Sequence, residues 1–260
     1  MKYLEDLNFQ NKRVLLRADL NVPLDEAGEI ADDHRIKQVL PTIQRIIGGG
    51  ASVVLMSHFD RPGGIPDPKF SLNPVAKRLS ELLEREVPLA ADCVGPEVES
   101  QAAALAPGDL LMLENLRFHS GERKNDHEFA AHLARLGNVY VNDAFATAHR
   151  SHASVVGVPS HFAEKAAGLL MQKEIEYYEK ALVKPSRPLC VVLGGAKVST
   201  KLNLLMHILD KADKIIIGGA MANTFIAAQG AQIGKSLVER ELFPKALEIL
   251  ATLARRGCQL

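Results

Sequence analysis

Residues 13–23 read RVLLRADLNVP, and this stretch places an apolar, strand-like run directly before a group of charged and polar side chains. Val14, Leu15 and Leu16 form the apolar run, and an arginine, an aspartate, an asparagine and then Pro23 follow it. Polar strand ends are common in soluble proteins. One such stretch therefore does not distinguish a solvated loop from a loop that binds a ligand.

The same pattern recurs along the chain. Four further apolar runs end in polar, often cationic, groups: ASVVLMSHFDRP at 51–62, LLMLENLRFHSGE at 110–122, VYVNDAFATAHRSH at 139–152 and LCVVLGGAKVSTK at 189–201. In parallel α/β sheets ligands bind beyond the carboxyl ends of the strands. The repetition therefore favours a group of binding loops.

The order of apolar runs predicts the fold class. Strand-like runs at 13–16, 52–56, 110–113, 139–142, 189–193 and 214–217 alternate with segments of helical period. Strands that alternate with helices pair in parallel through right-handed crossovers, and helices cover both faces of the sheet. We expect an α/β protein.

Three segments carry the helical predictions. In NPVAKRLSELLE, Asn73 is expected to cap a helix, and VSTKLNLLMHIL places leucines on one stripe. A third helix is predicted over 164–182, because the prolines of VKPSRP stop its pattern. The long third helix, stopped by two prolines, predicts a domain boundary: a first domain over 1–163, an interdomain helix and linker over 164–184, and a second domain over 185–260.

Charge and cysteine usage exclude several classes of protein. Lys and Arg total 31 and Asp and Glu total 31, so no net field attracts nucleic acid or an anionic membrane. Cys93, Cys190 and Cys258 are odd in number and contain no CxxC pair, which argues against a disulfide framework or a zinc knuckle. The N-terminus has no apolar signal core, and no run approaches the roughly 20 apolar residues of a membrane span. A cytoplasmic protein is expected.

The strand ends are rich in arginine and histidine: Arg17, His58, Arg61, Arg117, His119, His149, Arg150 and His152. The guanidinium fork fits phosphate or carboxylate oxygens in pairs, so several forks in one cleft would bind a small anion. The alternative is that each arginine pairs with a surface carboxylate. His149 and His152 have no third ligand in view, which is more typical of structural histidines than of a metal pair. No metal-binding residues are predicted.

Two glycine loops in the second half of the chain indicate a second anion site. GGAKVSTK at 194–201 and GGAMANTF at 218–225 each follow a strand and precede a helix. Glycine lets the backbone approach a phosphate, and helix-start amides complete such a site.

RADLNVPLD, DDHRI, SHFDRP, LENLRFHSGE, YVNDAFATAHRSHAS, GGAKVSTK and GGAMANTF, in this order, resemble the phosphoglycerate kinase family. The resemblance implies two Rossmann-like parallel-sheet domains joined by a hinge helix, with 3-phosphoglycerate on the first and nucleotide on the second. It implies reversible phosphoryl transfer between 1,3-bisphosphoglycerate and ADP, giving 3-phosphoglycerate and ATP in glycolysis. Mg²⁺ would arrive with ADP or ATP, and a monomer without nucleic-acid or membrane partners is expected.

The resemblance also implies roles for individual residues. Asp19 and Asn21 would hold the hydroxyl and carboxylate side of the glycerate, and Arg35 would point toward the transferred group. His58, Arg61, Arg117 and Arg150 would surround the phosphate that is not transferred. Lys197 would support the transferred group, and the remaining nucleotide contacts would come from Lys201, Gly194, Gly195, Gly218 and Gly219.

Three departures from the family pattern carry further expectations. Phe59 and Asp60 stand where the family usually has Leu-Gly, and Ala220 stands where it has a third glycine. We expect Asp60 to face away from the phosphate and to pair with a cation such as Arg61. The chain ends at RRGCQL, before the family's Mg²⁺-binding aspartate and the rest of the nucleotide site. This leaves two hypotheses: a kinase with an incomplete second domain, or a non-catalytic fragment that binds 3-phosphoglycerate weakly.

Overall fold

The computed structural model describes all 260 residues, and the chain divides into two compact units. The first unit is Met1–Glu174 and the second is Ile175–Leu260. No helix in either unit is both long and apolar enough to cross a membrane.

A parallel sheet of five strands forms the centre of the first unit. Its strands are β1 (Arg13–Arg17), β2 (Ser52–Met56), β3 (Leu110–Met112), β4 (Val139–Asn142) and β5 (Lys165–Ala167). They lie in the order β3-β2-β1-β4-β5, and every neighbouring pair is parallel. This arrangement confirms the predicted α/β class.

Helices cover both faces of this sheet. They are α1 (His34–Gly48), α2 (Asn73–Leu83), α3 (Pro96–Ala103), α4 (Ser120–Lys124), α5 (His127–Ala134), α6 (Val158–Ser160) and α7 (Leu169–Tyr178), which contains the division between the units. Successive strand residues point to opposite faces. Val14 and Leu16 join the core that includes α1 and α2, whereas Leu15 joins the core that includes α3 and α5.

The helix predicted over 164–182 is wrong at its start, because Lys165–Ala167 forms strand β5. Tyr140 and Val141 of β4 pair with Lys165 and Ala166, so sheet pairing overrides the local helical pattern. Helix α7 begins only afterwards and ends at Tyr178, and a π-helical segment covers Glu179–Val183.

Buried Asp143 explains where α7 begins. Its Oδ1 accepts hydrogen bonds from the amides of Leu170 and Met171 at 2.8 and 3.0 Å, which satisfies two donors of the first helical turn. A Cβ on Gly168 would lie 2.3 Å from the same oxygen, so only glycine fits there.

At α2 the predicted Asn73 cap is wrong: Leu72 is the cap residue, without a side-chain hydrogen bond.

The second unit contains the two remaining predicted strands, β6 (Cys190–Gly194) and β7 (Lys214–Gly218), which pair in parallel. Its helices are α8 (Leu202–Leu209), α9 (Ala220–Ala228) and α10 (Phe243–Arg256). All three contribute to one buried apolar core, in which Leu205, Met221 and Ile249 are at most 1% exposed.

Candidate functional site

The predicted substrate-binding residues of the first unit lie in loops that follow four neighbouring strands. Asp19 and Asn21 follow β1, and His58 and Arg61 follow β2. Arg117 lies in a 3₁₀ turn after β3, and Arg150 follows β4. Because these strands are parallel, the four loops lie at one edge of the sheet. The sheet topology therefore brings the predicted binding loops to a common edge, as expected from the sequence.

A buried polar network lies under these loops. The Arg17 guanidinium is 1% exposed; its Nε donates to Ser154 Oγ at 3.0 Å, and its Nη2 lies 3.1 Å from His58 Nδ1. Ser154 Oγ in turn donates to Oε1 of the fully buried Glu122 at 2.6 Å, and the Ser154 amide donates to Oε2 at 2.9 Å. His152 Nδ1 lies 3.7 Å from Glu122 Oε1. Glu122 thus places a negative charge beneath several positive ones.

The ionisation of this network follows from burial and neighbouring charge. Burial, followed by the charges of Arg17, Arg117 and Arg150, lowers the pKa of His58 to about 2, so its imidazole is neutral. Burial also lowers the pKa of Arg17, and the Glu122 charge opposes that shift. For Glu122, burial favours the neutral acid, but hydrogen bonding with His152 and the Arg17 charge lower its pKa overall.

Arg117 and Arg150 retain unused hydrogen-bond donors. The Nε atoms of both arginines are buried without a hydrogen-bond partner. Burial, followed by the positive charges of Arg150 and Arg17, lowers the pKa of Arg117. Arg117 Nη1 donates to the Asp60 carbonyl oxygen at 2.5 Å. Buried polar groups are normally paired, so two unpaired donors among like charges indicate a place for an anion.

Asp19 and Asn21 have partners within the protein. Asp19 Oδ2 accepts a hydrogen bond from Arg35 Nη1 at 2.6 Å, and Arg35, on the first turn of α1, is half exposed. Asn21 Oδ1 accepts from the amide of Asp60 at 2.8 Å. These contacts join the loop after β1 to α1 and to the loop after β2.

The expected pairing of Asp60 with Arg61 is wrong. Neither side chain forms an ion pair, and Arg61 is exposed without a hydrogen-bond partner. Asp60 has a φ of 44°, in the left-handed region that favours glycine, and both its amide and its carbonyl are used. Phe59 is buried in the core beside α1 and α2. Asp60 therefore occupies a position with the backbone conformation of a glycine.

In the second unit, the two glycine loops meet at the ends of β6 and β7. Gly194 and Gly218 are register partners. A Cβ on Gly219, at φ 69°, would lie 2.8 Å from the Gly195 carbonyl oxygen, which also accepts a hydrogen bond from the Met221 amide at 2.9 Å. The backbones approach so closely that a side chain is excluded at Gly219.

Two cations accompany these glycines. Lys201 lies against Gly195, with its Cε 3.3 Å from where a Cβ would stand, and Lys197 is exposed. Neither lysine forms an ion pair. Ala220 is the first residue of α9 and is partly exposed. Glycine-lined turns with free lysines suit the phosphates of a nucleotide.

Glu122 and Ser154, which support the buried polar network, are not predicted from the sequence, and Arg17, predicted as a cleft cation, is buried. The sequence offers only a weak signal for these two residues, which is their position next to predicted site residues. Glu122 follows the arginine of LRFHSGE, and Ser154 closes the HRSHAS segment. His149 and His152 belong to no cluster of three or more metal-ligand side chains.

Comparison with known proteins gives a consistent result. The family model described as phosphoglycerate kinase matches residues 4–260. The chain is 52% identical over 260 residues to the phosphoglycerate kinase of Desulfosudis oleivorans, covering 100% of this chain and 66% of that protein. It is 54% identical over 257 residues to that of Moorella thermoacetica, covering 99% of this chain and 65% of that protein.

Solved structures agree with the sequence comparisons. The structure of phosphoglycerate kinase from Coxiella burnetii matches with a TM-score of 0.91 and 44% identity, covering 100% of this chain and 65% of that one. The enzyme from Pyrococcus horikoshii matches with a TM-score of 0.83 and 36% identity, covering 98% and 66%. The chain thus spans 65 to 66% of the length of these relatives.

Proposed function

The chain belongs to the phosphoglycerate kinase family, and from this we propose that its protein transfers a phosphoryl group reversibly between 1,3-bisphosphoglycerate and ADP. The products in the ADP-consuming direction are 3-phosphoglycerate and ATP. The observation that carries the proposal is the pair of buried, unpartnered Nε atoms on Arg117 and Arg150. A substrate phosphate would accept hydrogen bonds from both.

His58, Arg61, Arg117 and Arg150 are proposed to hold the phosphate that is not transferred. Because the His58 pKa is about 2, this residue would act as a neutral hydrogen-bonding group, and the arginines would supply the charge. Arg61 is exposed and free of ion pairs, so it can turn toward a bound anion.

Asp19, Asn21 and Arg35 are proposed to orient the glycerate and the moving phosphoryl group. Phosphoryl transfer depends mainly on positioning and charge neutralisation, which a planar guanidinium supplies without a proton transfer. Before substrate binds, Arg35 Nη1 contacts Asp19 Oδ2 at 2.6 Å, which favours one orientation of the half-exposed guanidinium. Asp19 is therefore proposed to position Arg35 as well as to contact the glycerate.

Gly194, Gly195, Gly218, Gly219, Lys197 and Lys201 are proposed to hold the nucleotide phosphates, with Lys197 supporting the transferred group. Mg²⁺ would enter on the nucleotide, where it neutralises phosphate charge. The Glu239 carboxylate beside this loop is already engaged by Val198 and Ser199, and no cluster of three or more metal-ligand side chains lies in the second unit. The roles proposed here therefore rest on lysines, arginines and backbone amides. A cytoplasmic location and a monomeric state stay predictions.

Calorimetry with 3-phosphoglycerate tests the phosphate site in the 260-residue chain. Each charge-assisted hydrogen bond contributes about 1.5 to 3 kcal/mol, so Arg150→Gln should weaken binding about 10- to 150-fold. Arg135→Gln is the matched control. Arg135 is more than half exposed, follows the C-terminal end of α5 and contacts Glu99 of α3. Equal affinities of the two variants would contradict the site.

A coupled assay tests the reaction itself. The protein as its gene encodes it would receive ATP, Mg²⁺ and 3-phosphoglycerate, and formation of the acyl phosphate would be followed by its reduction with a dehydrogenase. We expect turnover that requires both substrates. Binding of 3-phosphoglycerate without turnover would favour the non-catalytic alternative.

A further inference from the structure

One cluster of potential metal ligands includes His119, which comes two residues after Arg117 in the loop that follows β3. Asp92, Cys93 and His119 each offer one ligand atom, and these atoms all lie within 4.8 Å of one another. His119 Nε2 is 2.7 Å from Asp92 Oδ1. Cys93 is fully buried in the core that includes α3 and α5, whereas the other two side chains are partly exposed. Solvent therefore reaches the cluster from one side.

The backbone holds these three residues in place. The segment that carries Asp92 and Cys93 runs beside β3, where the Ala90 amide donates to the Met112 carbonyl at 2.8 Å. His119 immediately precedes α4, and its ring stacks on Phe129 with centroids 5.2 Å apart and planes at 25°. The ring cannot turn away without losing this stacking, so the imidazole is held toward the carboxylate.

The donor set determines which ion would fit. A thiolate, an imidazole nitrogen and a carboxylate oxygen suit Zn²⁺, which takes sulfur, nitrogen and oxygen ligands in tetrahedral sites, whereas Mg²⁺ and Ca²⁺ favour oxygen alone. We propose that Asp92, Cys93 and His119 form a Zn²⁺ site with three protein ligands and a fourth position open to solvent. This site is separate from the Mg²⁺ that would accompany the nucleotide.

Zn²⁺ binding would change the protonation and the hydrogen bonding of these side chains. His119 Nε2 carries the proton of its hydrogen bond to Asp92, because the carboxylate can only accept. When Zn²⁺ bonds to Nε2 and to the carboxylate oxygen, the ring would keep its proton on Nδ1 and the Nε2 proton would pass to solvent, and the ion would also bond to Cys93 Sγ. Cys93 is a free, buried cysteine, so its sulfur carries a proton before the ion binds. That proton passes to solvent when the ion binds, and the charge of the ion stabilises the buried thiolate.

Co²⁺ substitution gives a direct test, because thiolate ligation produces a charge-transfer absorption band in the near ultraviolet. The chelator-treated 260-residue chain would be titrated with Co²⁺ and then with Zn²⁺. We expect one Co²⁺ per chain, the band, and displacement by Zn²⁺. Cys93→Ser should abolish the band, and Cys190→Ser should leave it unchanged because Cys190 is exposed in the second unit.

Variants of the two partly exposed ligands test the site independently, because Cys93→Ser changes a buried side chain and could prevent folding. His119→Gln and Asp92→Asn should each weaken Co²⁺ binding by at least about tenfold, since even outer-shell changes at metal sites cost that much. His132→Gln is the matched control, because this histidine also lies beside a carboxylate, 3.7 Å from Glu99, but belongs to no cluster of three metal-ligand side chains. Absence of the band in the unmodified chain would overturn the proposal. A band that survives in His119→Gln and Asp92→Asn at unchanged affinity would also overturn it.

Discussion

Replacing Glu122 with glutamine tests whether this buried carboxylate supports the cationic edge of the sheet. Glu122 is fully buried, and both of its oxygens accept hydrogen bonds from Ser154. Its charge acts on Arg17, whose Nε donates to the same Ser154 hydroxyl. Glutamine keeps the size and one acceptor oxygen, so the substitution removes the charge and one acceptor without creating a cavity.

The magnitude follows from the environment. Removing one member of a buried charge pair costs about 3 to 5 kcal/mol, because the remaining charge is left uncompensated. Because glutamine retains one acceptor oxygen, we expect the loss of folding free energy to lie near the lower end of this range, at about 3 kcal/mol. For a unit of this size each kcal/mol shifts the melting temperature by about 2 to 4 °C, which gives a decrease of about 6 to 12 °C.

Thermal unfolding of the full 260-residue chain, followed by calorimetry and circular dichroism, measures this decrease. Glu128→Gln is the control, because the Glu128 side chain is 87% exposed and a surface change of this kind stays within about 0.5 kcal/mol. A Glu122→Gln transition within the same limit would refute the reasoning.

The pH dependence gives a second readout. The folded-state pKa of Glu122 is below its ordinary value of 4.5, so its contribution is complete above about pH 4.5 and is lost as the pH falls through the folded-state pKa. The stability difference between the unmodified chain and Glu122→Gln should therefore shrink as the pH falls below about 4.5.

Three further substitutions test the proposed roles of individual residues. Arg35→Lys keeps the charge but loses the planar fork, so kcat should fall more than KM rises in the coupled assay; an unchanged kcat with a raised KM would speak against the role. Asp60→Gly should leave the affinity for 3-phosphoglycerate within about twofold, because a carboxylate directed away from the phosphate opposes binding by well under 1 kcal/mol, and severalfold tighter binding in calorimetry would show that the carboxylate faces the phosphate. Gly219→Ala should destabilise the second unit by about 1 to 3 kcal/mol, because φ 69° with ψ −167° is a conformation that essentially only glycine adopts and the new Cβ would lie 2.8 Å from the Gly195 oxygen. Gly218→Ala, which meets nothing within 4 Å, is its control, and equal melting of the two variants would contradict the argument.

The sequence by itself determined the α/β class and six of the seven strands, because alternating apolar runs and helical stripes are local signals. It also placed the proposed substrate-binding loops at strand ends, since parallel strands bring their carboxyl ends to one edge. The strand that it missed, β5, has only three residues and no β-branched side chain. Its strand conformation depends on pairing with β4, which local sequence does not encode.

Only the tertiary structure decided which charges are buried and which side chains meet. Arg17 and Arg61 both follow apolar strands in the sequence, yet the first is 1% exposed and the second lies in solvent. Asp92 and Cys93 are adjacent, but His119 lies 27 residues from Asp92, and no spacing rule joins it to that pair. Burial and convergence arise from how distant segments pack around the sheet, and periodicity along the chain carries no information about that packing.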